Sequence, residues 1–191
     1  MSEIIVGLEP SISVCENLLL VQEELSAPLH QLGVEPRWTP AEDLRLVLLR
    51  WRNVDADAVR LFTEQLRVVC STEPEGRFSV SGVGFAPSEE VPRLLLAEVE
   101  AGDALRRLRE RLGAAAGAVG LGSAAAWRPA MRLGRMSTPT RFMELRGIAR
   151  SWAQVEGWES LVREVVIWRS SGRTSAPWAP VHARVRLGTG Q

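Results

Sequence analysis

The apolar positions of this chain change period as it runs. Glu3 to Leu8 is a short β-rich run closed by Glu9-Pro10, and it predicts a first strand. From Ser11, placed to cap, to about Gln31, the residues Leu18, Val21, Leu25 and Leu29 recur at helical spacing, and Gly33 is the stop. A short strand around Val34 to Trp38 and a turn at Pro40 lead into Leu44 to Trp51. There the period becomes two. Leu44, Leu46 and Leu48 fall on one face, and Arg45, Val47, Leu49 and Trp51 on the other. Asp55 then caps a helix to about Cys70, striped by Val59, Phe62, Leu66 and Val69.

The second half repeats this grammar. Arg77 to Phe85 alternates, with Gly82 and Gly84 pointing to a bulge, and Arg93 to Val99 is a strongly apolar strand. Asp103 opens a helix with Leu105, Leu108 and Leu112 inward and arginines outward. Gly113 to Ala126, rich in alanine and glycine, reads as a helix end plus a flexible connection. In Trp127 to Met136, Met131 and Leu133 share one face, and Arg128, Ala130 and Arg132 the other. Ser137 to Glu156 predicts a helix striped by Phe142, Leu145, Ile148 and Trp152. Trp158 to Arg169 predicts one strand and Pro180 to Leu187 another. The order, roughly βαββα–ββαβα–ββ, has no regular βαβα alternation and no glycine-rich phosphate loop. It excludes a doubly wound parallel sheet and predicts an α+β protein with antiparallel sheets.

Composition narrows the class. The 191 residues fit one domain, 1–191, with a core large enough to fold alone. The formal net charge is zero, so a nucleic-acid role needs a local basic patch. All 23 basic residues are arginine, which stays charged and grips phosphate or carboxylate with a planar fork. Cys15 and Cys70 fall on apolar helical stretches and read as buried free thiols. Two distant histidines and two lone cysteines offer no metal constellation, and no cofactor motif is present. With no signal peptide or membrane span legible, a cytoplasmic protein with no membrane partner is expected.

Two stretches carry a resemblance to a known family: PRWTPAEDLRLVLLRWR, Pro36 to Arg52, and WRPAMRLGRM, Trp127 to Met136. They resemble the paired His-x-Thr-Leu strands of the two-histidine (2H) phosphoesterases, in particular the bacterial RNA 2',3'-cyclic phosphodiesterase / 2'-5' RNA ligase branch. The first carries a Trp-x-Pro-x-x-Asp-Leu lead-in, Trp38 to Leu44. The second carries the Trp-x-Pro lead-in and the following Gly-Arg. GFAPSEEVPRLLLAEVEAGDALRRLRERL and the ending EVVIWRSSGRTSAPWAPVHARVRL resemble the family's middle section and final hairpin. The resemblance implies two pseudo-symmetric lobes, each a small antiparallel sheet flanked by helices, around a central cleft. The two motif strands would lie side by side at the bottom of that cleft.

The motif residues depart from the family. Arg45-Leu46-Val47 and Ala130-Met131-Arg132 stand where it has His-x-Thr. In the family one histidine activates water against the cyclic phosphate, the other protonates the leaving ribose oxygen, and the threonines bond the phosphate. Guanidinium does not deprotonate in proteins and alanine has no proton to exchange, so neither replaces an imidazole. Losing one acid–base group costs about 10²–10⁴-fold in rate. The resemblance therefore implies a catalytically inactive member with no catalytic residue at Arg45, Val47, Ala130 or Arg132.

Three readings stay open. The first is a binder of nucleotide or RNA phosphate ends through Arg45, Arg128 and Arg132, with Trp51 as an aromatic plate at the cleft edge. In the second the cleft is vestigial, the arginines are solvated or paired with carboxylates such as Glu42 and Asp43, and the chain serves a protein partner. The third is an active 2',3'-cyclic phosphodiesterase with a relocated catalytic group, for which His182 on the last strand is the candidate.

Overall fold

The computed structural model describes residues 2–86, 92–122, 126–136, 142–152, 154–155, 157–171 and 179–188. Strand β1 (Ser2–Leu8) leads to α1 (Ile12–Gln31), the short β2 (Arg37–Trp38) and a 3-10 turn at Ala41–Asp43. Then come β3 (Leu46–Val54), α2 (Ala56–Thr72), β4 (Gly76–Ala86) and β5 (Leu94–Ala101). The chain continues through α3 (Asp103–Ala118), β6 (Ala130–Arg135), α4 (Phe142–Ser151), β7 (Glu159–Val162), β8 (Glu164–Ser171) and β9 (Val181–Arg186).

The helix ends follow from capping chemistry. Ser11 accepts the Val14 amide at 3.4 Å and Asp55 accepts the Ala58 amide at 2.8 Å, each satisfying an orphan donor of a first turn. After α1 the chain reverses through Gly33 at φ +72°, a conformation that favours glycine. The helical stripes form one core with the strands: Leu18, Val21, Leu25 and Leu29 of α1, Phe62 and Leu66 of α2, and Leu105, Leu108 and Leu112 of α3 are buried. No helix among the described residues is long and apolar enough to cross a membrane.

The strands pair in the order β7-β4-β5-β6-β3-β1-β8-β9, with β2 on β6, and every pairing is antiparallel. The two motif strands, β3 and β6, lie side by side at the centre, joined by a single residue pair, Leu46–Met131. Either side of that joint stands a four-stranded sheet, β3-β1-β8-β9 and β6-β5-β4-β7. The chain therefore reads twice as strand, helix, motif strand, helix. After α2 the chain crosses over, β4 pairing with β5; after α4 it first adds β7 beside β4 and then crosses back, β8 pairing with β1. This is the α+β architecture of two related antiparallel sheets.

Four expectations need correction, and one is located. The run predicted as one strand from Trp158 to Arg169 is broken at Arg163: β7 pairs with β4 in one sheet and β8 with β1 in the other. Only the Arg163-Glu164 pair separates Leu161-Val162 from the apolar run Val165 to Trp168, so the sequence pattern reads as one strand. Helix α3 extends through Gly113 to Ala118, because Leu112 and Ala116 continue the buried stripe of Leu105 and Leu108. Helix α4 ends at Ser151, before the expected Glu156, while 137–141 lie outside the described residues; Leu145 is buried and Ile148 and Trp152 pack at the core's edge. Cys70 is buried, its thiol pushed up to about 12 by burial and Glu73, whereas Cys15 is only half-buried. The bulge expected near Gly82 and Gly84 falls at Ser81, where the β4–β5 register shifts. Trp178 lies outside the described residues.

Candidate functional site

Beside the joint of β3 and β6 is a cavity of about 360 Å³, whose walls include Glu3, Arg45, Val47, Arg50, Ala130 and Arg132. All but Glu3 come from the two motif stretches. Which side chains of β3 face the cavity is set by one irregularity. Val47 pairs with Gly7 and Leu49 with Val6, so Leu48 is an extra residue on β3. A bulged residue shifts the alternation by one. Before the bulge Val47 faces the cavity. After it Arg50, opposite Ile5, does so. The bulge is tied down from outside the strand: Trp127 donates Nε1–H to the Val47 carbonyl at 2.9 Å, and Arg109 donates Nε–H to that of Leu48 at 3.2 Å.

Trp51 is thereby turned away from the position expected of it. It pairs with Ile4 on the core face and meets the Phe62 ring of α2 edge-on, with centroids 5.4 Å apart. It offers no plate to a ligand in the cleft. The clue was present in the Arg50-Trp51-Arg52 triplet, whose phase buries the tryptophan and contradicts that of Leu44 to Leu48. Arg128 also lies outside the cavity lining; it is exposed and ion-paired with Glu98. His182 is in a separate cavity against α2.

Arg45 does line the cleft, but it is folded back. Its side chain is 7% exposed. Nη2 pairs with the Asp43 carboxylate, and the Glu42 and Asp43 carbonyls each accept a bond at 3.3 Å. The guanidinium carbon lies 4.2 Å from the Trp168 ring centroid, a cation–π contact in a dry setting. Gly7 makes room for this: a Cβ there would meet the Leu46 carbonyl oxygen at 2.5 Å and the Trp168 ring at 3.3 Å. Burial lowers the Arg45 guanidinium to about 10, with Glu9 opposing and Arg132 adding to the shift; it stays charged at neutral pH. Its Nη1 is buried without a hydrogen-bond partner among the described residues.

Arg50 is also compensated, with Nη2 2.7 Å from Glu3. Burial pushes the Glu3 carboxyl up, but bonds from Arg50 and Arg52 outweigh it and hold the group below its usual value. Arg132 differs. Its Nε donates to Thr39 Oγ1 at 3.3 Å, and no carboxylate among the described residues pairs with it. Arg132 is exposed at the cleft, and its guanidinium is pulled down by partial burial and then by Arg50, Arg135 and Arg37. The cleft thus holds two locally neutralised arginines and one that is not. No histidine or cysteine is among the residues lining it, and its carboxylates, Glu3 and Asp43, are each held by arginine. Among the described residues no group of three or more metal-ligating side chains occurs.

This architecture is shared with solved structures, one of them described as a phosphoesterase. The chain is similar to TT0787 of Thermus thermophilus, with 21% identity and a TM-score of 0.78 over 99% of this chain and 100% of that one. A second similar structure, described as a phosphoesterase, has 14% identity and a TM-score of 0.73 over 99% and 100%. Escherichia coli LigT has 15% identity and a TM-score of 0.73 over 98% of each chain; it has also been solved with 3'-AMP, ATP and phosphate. No family model and no curated protein matches the sequence. The fold is therefore that of LigT, TT0787 and the structure described as a phosphoesterase, as the resemblance of the two motif strands implied.

Proposed function

We propose that this chain is a non-catalytic binder of phosphate-bearing ligands, a nucleotide or an RNA end, held in the cleft by Arg132. The observation that carries the reading is the uncompensated charge of Arg132. It faces the cavity with three other arginines pressing on it and no carboxylate partner among the described residues. An anion is what such a site lacks. Arg50, shared with Glu3, can turn one edge toward the same anion, and Arg45 supplies fixed positive potential from behind. The ligand class is supported by the common fold with LigT, a protein that has been solved with 3'-AMP and with phosphate.

The cleft's chemistry supports a reading without turnover. Phosphodiester hydrolysis by this fold's chemistry needs a base and an acid that titrate near neutral pH. Ala130 and Val47 have no proton to exchange. Arg45 and Arg132 remain protonated, and Glu3 is held ionised. His182, the candidate for a relocated catalytic group, stands in a different cavity.

The test is direct titration with a short RNA ending in a 2',3'-cyclic phosphate and with 3'-AMP, at two salt concentrations. Wild-type protein should bind both, more weakly at higher salt, and release no product. An Arg132→Ala variant loses a charge-assisted contact worth about 1.5–3 kcal/mol, roughly a 10–100-fold weakening. Turnover by the wild type would restore the enzymatic reading. Absent binding at either salt would leave the cleft vestigial and turn attention to a protein partner.

A further inference from the structure

On the other side of the first sheet, away from the cleft, lies a cavity of about 250 Å³ between α2 and the β8–β9 hairpin. It is lined by Arg60, Thr63, Glu64 and Arg67 of α2, Arg169 of β8 and His182 of β9, with Ala56 and Val59 at its base. The sheet delivers two of these groups for definite reasons. Arg169 pairs with Ile4, whose side is the core side, so its guanidinium emerges toward α2, where Nε donates to Ser2 Oγ at 3.2 Å. His182 is the extra residue of a register shift: Val181 pairs with Trp168 and Ala183 with Ile167.

The charges there do not cancel. Arg60 and Glu64 form an i,i+4 pair at 3.0 Å and neutralise each other. Arg67 and Arg169 have no carboxylate partner among the described residues, and neither has His182. Two permanent cations and an imidazole from three separate elements thus converge on one concavity. The volume lies below the roughly 300–1,000 Å³ of pockets that enclose whole small molecules. It suits one tetrahedral oxyanion.

We propose that this cavity is a second anion site, taking a phosphate group through Arg67, Arg169 and His182, independent of the cleft. The chemistry is shared by free phosphate and the terminal phosphate of a nucleotide. The site is also proton-linked. In the empty protein, burial and then Arg169 and Arg67 lower the His182 pKa, so the imidazole is neutral at pH 7. Of the charged groups around it, Arg60 and Glu64 cancel, leaving Arg67 and Arg169 to repel its proton. A bound dianion reverses that field. Affinity should therefore rise as pH falls through the pKa of the liganded His182.

The chain has only two histidines, both exposed, and His30, at a different cavity, is the internal control. The experiment follows both imidazoles by NMR titration of the full chain. Sulfate, a dianion across the pH range, is compared with chloride at matched ionic strength. A protonated imidazole that binds the dianion about tenfold more tightly raises the His182 pKa by about one unit at saturation, leaving His30 in place. Arg67→Ala should raise the empty-state His182 pKa and weaken the sulfate response, while Arg132→Ala should leave both unchanged, separating this site from the cleft. Repeating the titration with inorganic phosphate and with a nucleoside monophosphate distinguishes the sources: equal affinity indicates free phosphate, and tighter nucleotide binding indicates a larger ligand. Equal responses to sulfate and chloride, or a sulfate response intact in Arg67→Ala, would overturn the proposal.

Discussion

Arg45 shows how little a residue's type says about its task. A guanidinium where the resembling family's motif has a histidine invites reading as a phosphate ligand. Here its fork is committed to Asp43 and to the Glu42 and Asp43 carbonyls, and its face to Trp168. Its role is to hold together the turn that enters β3. Breaking a buried pair from one side leaves a charge without compensation, which commonly costs about 3–5 kcal/mol. Asp43→Asn should sit at the low end, about 3 kcal/mol, because the carbonyl bonds and the ring contact remain. Urea unfolding should show this as a lower midpoint with an unchanged slope. A midpoint within error of wild type would mean that the pair contributes nothing. The sequence did place Asp43 within reach of Arg45. It gave no sign of Trp168, which arrives from a strand far along the chain.

At the scale of elements, the bulge at Leu48 decides what the cleft contains. Strict alternation carried through Leu44 to Trp51 puts Trp51 in the cleft and leaves Arg50 out, the reverse of the observed placement. Hydrophobic pattern alone cannot locate an extra residue when Leu46, Val47, Leu48 and Leu49 are all apolar. The bulge is anchored by the Trp127 indole and Arg109, and the Arg109 guanidinium also lies 5.4 Å from the Trp127 ring centroid. Trp127→Phe keeps most of the apolar bulk and removes one donor, so it should cost about 1 kcal/mol. Amide exchange at Leu49 and Arg50 should quicken while that of β4 and β5 stays unchanged. Unaltered exchange at the bulge would show that the indole bond does not hold it.

At the scale of the molecule, the two sheets are laced together by the chain itself. Each pass sends its last strand into the other sheet, β4 to β5 and β8 to β1, so neither half completes its sheet alone. The direct seam between β3 and β6 is one residue pair, yet the halves cannot part without unpairing those crossing strands. Thermal or urea unfolding should therefore be a single transition, with coincident midpoints by tryptophan fluorescence and far-UV circular dichroism. Two separated midpoints would mean that the lobes are independent folding units.

What the sequence determined by itself was local or compositional. The helix stripes, the caps at Ser11 and Asp55, the α+β order and the two motif strands follow from short-range periodicity. The lack of an imidazole at either motif position is visible without any structure. Tertiary structure decided the rest. It split Glu159 to Ser171 between two sheets, inverted the face of β3 after Leu48, spent Arg45 on Asp43 and Trp168, and gathered Arg67, Arg169 and His182 into a second cavity. Each of these depends on which strand lies beside which. Strand pairing joins residues remote in sequence, and a one-residue change of register exchanges the two faces, so local pattern cannot fix it.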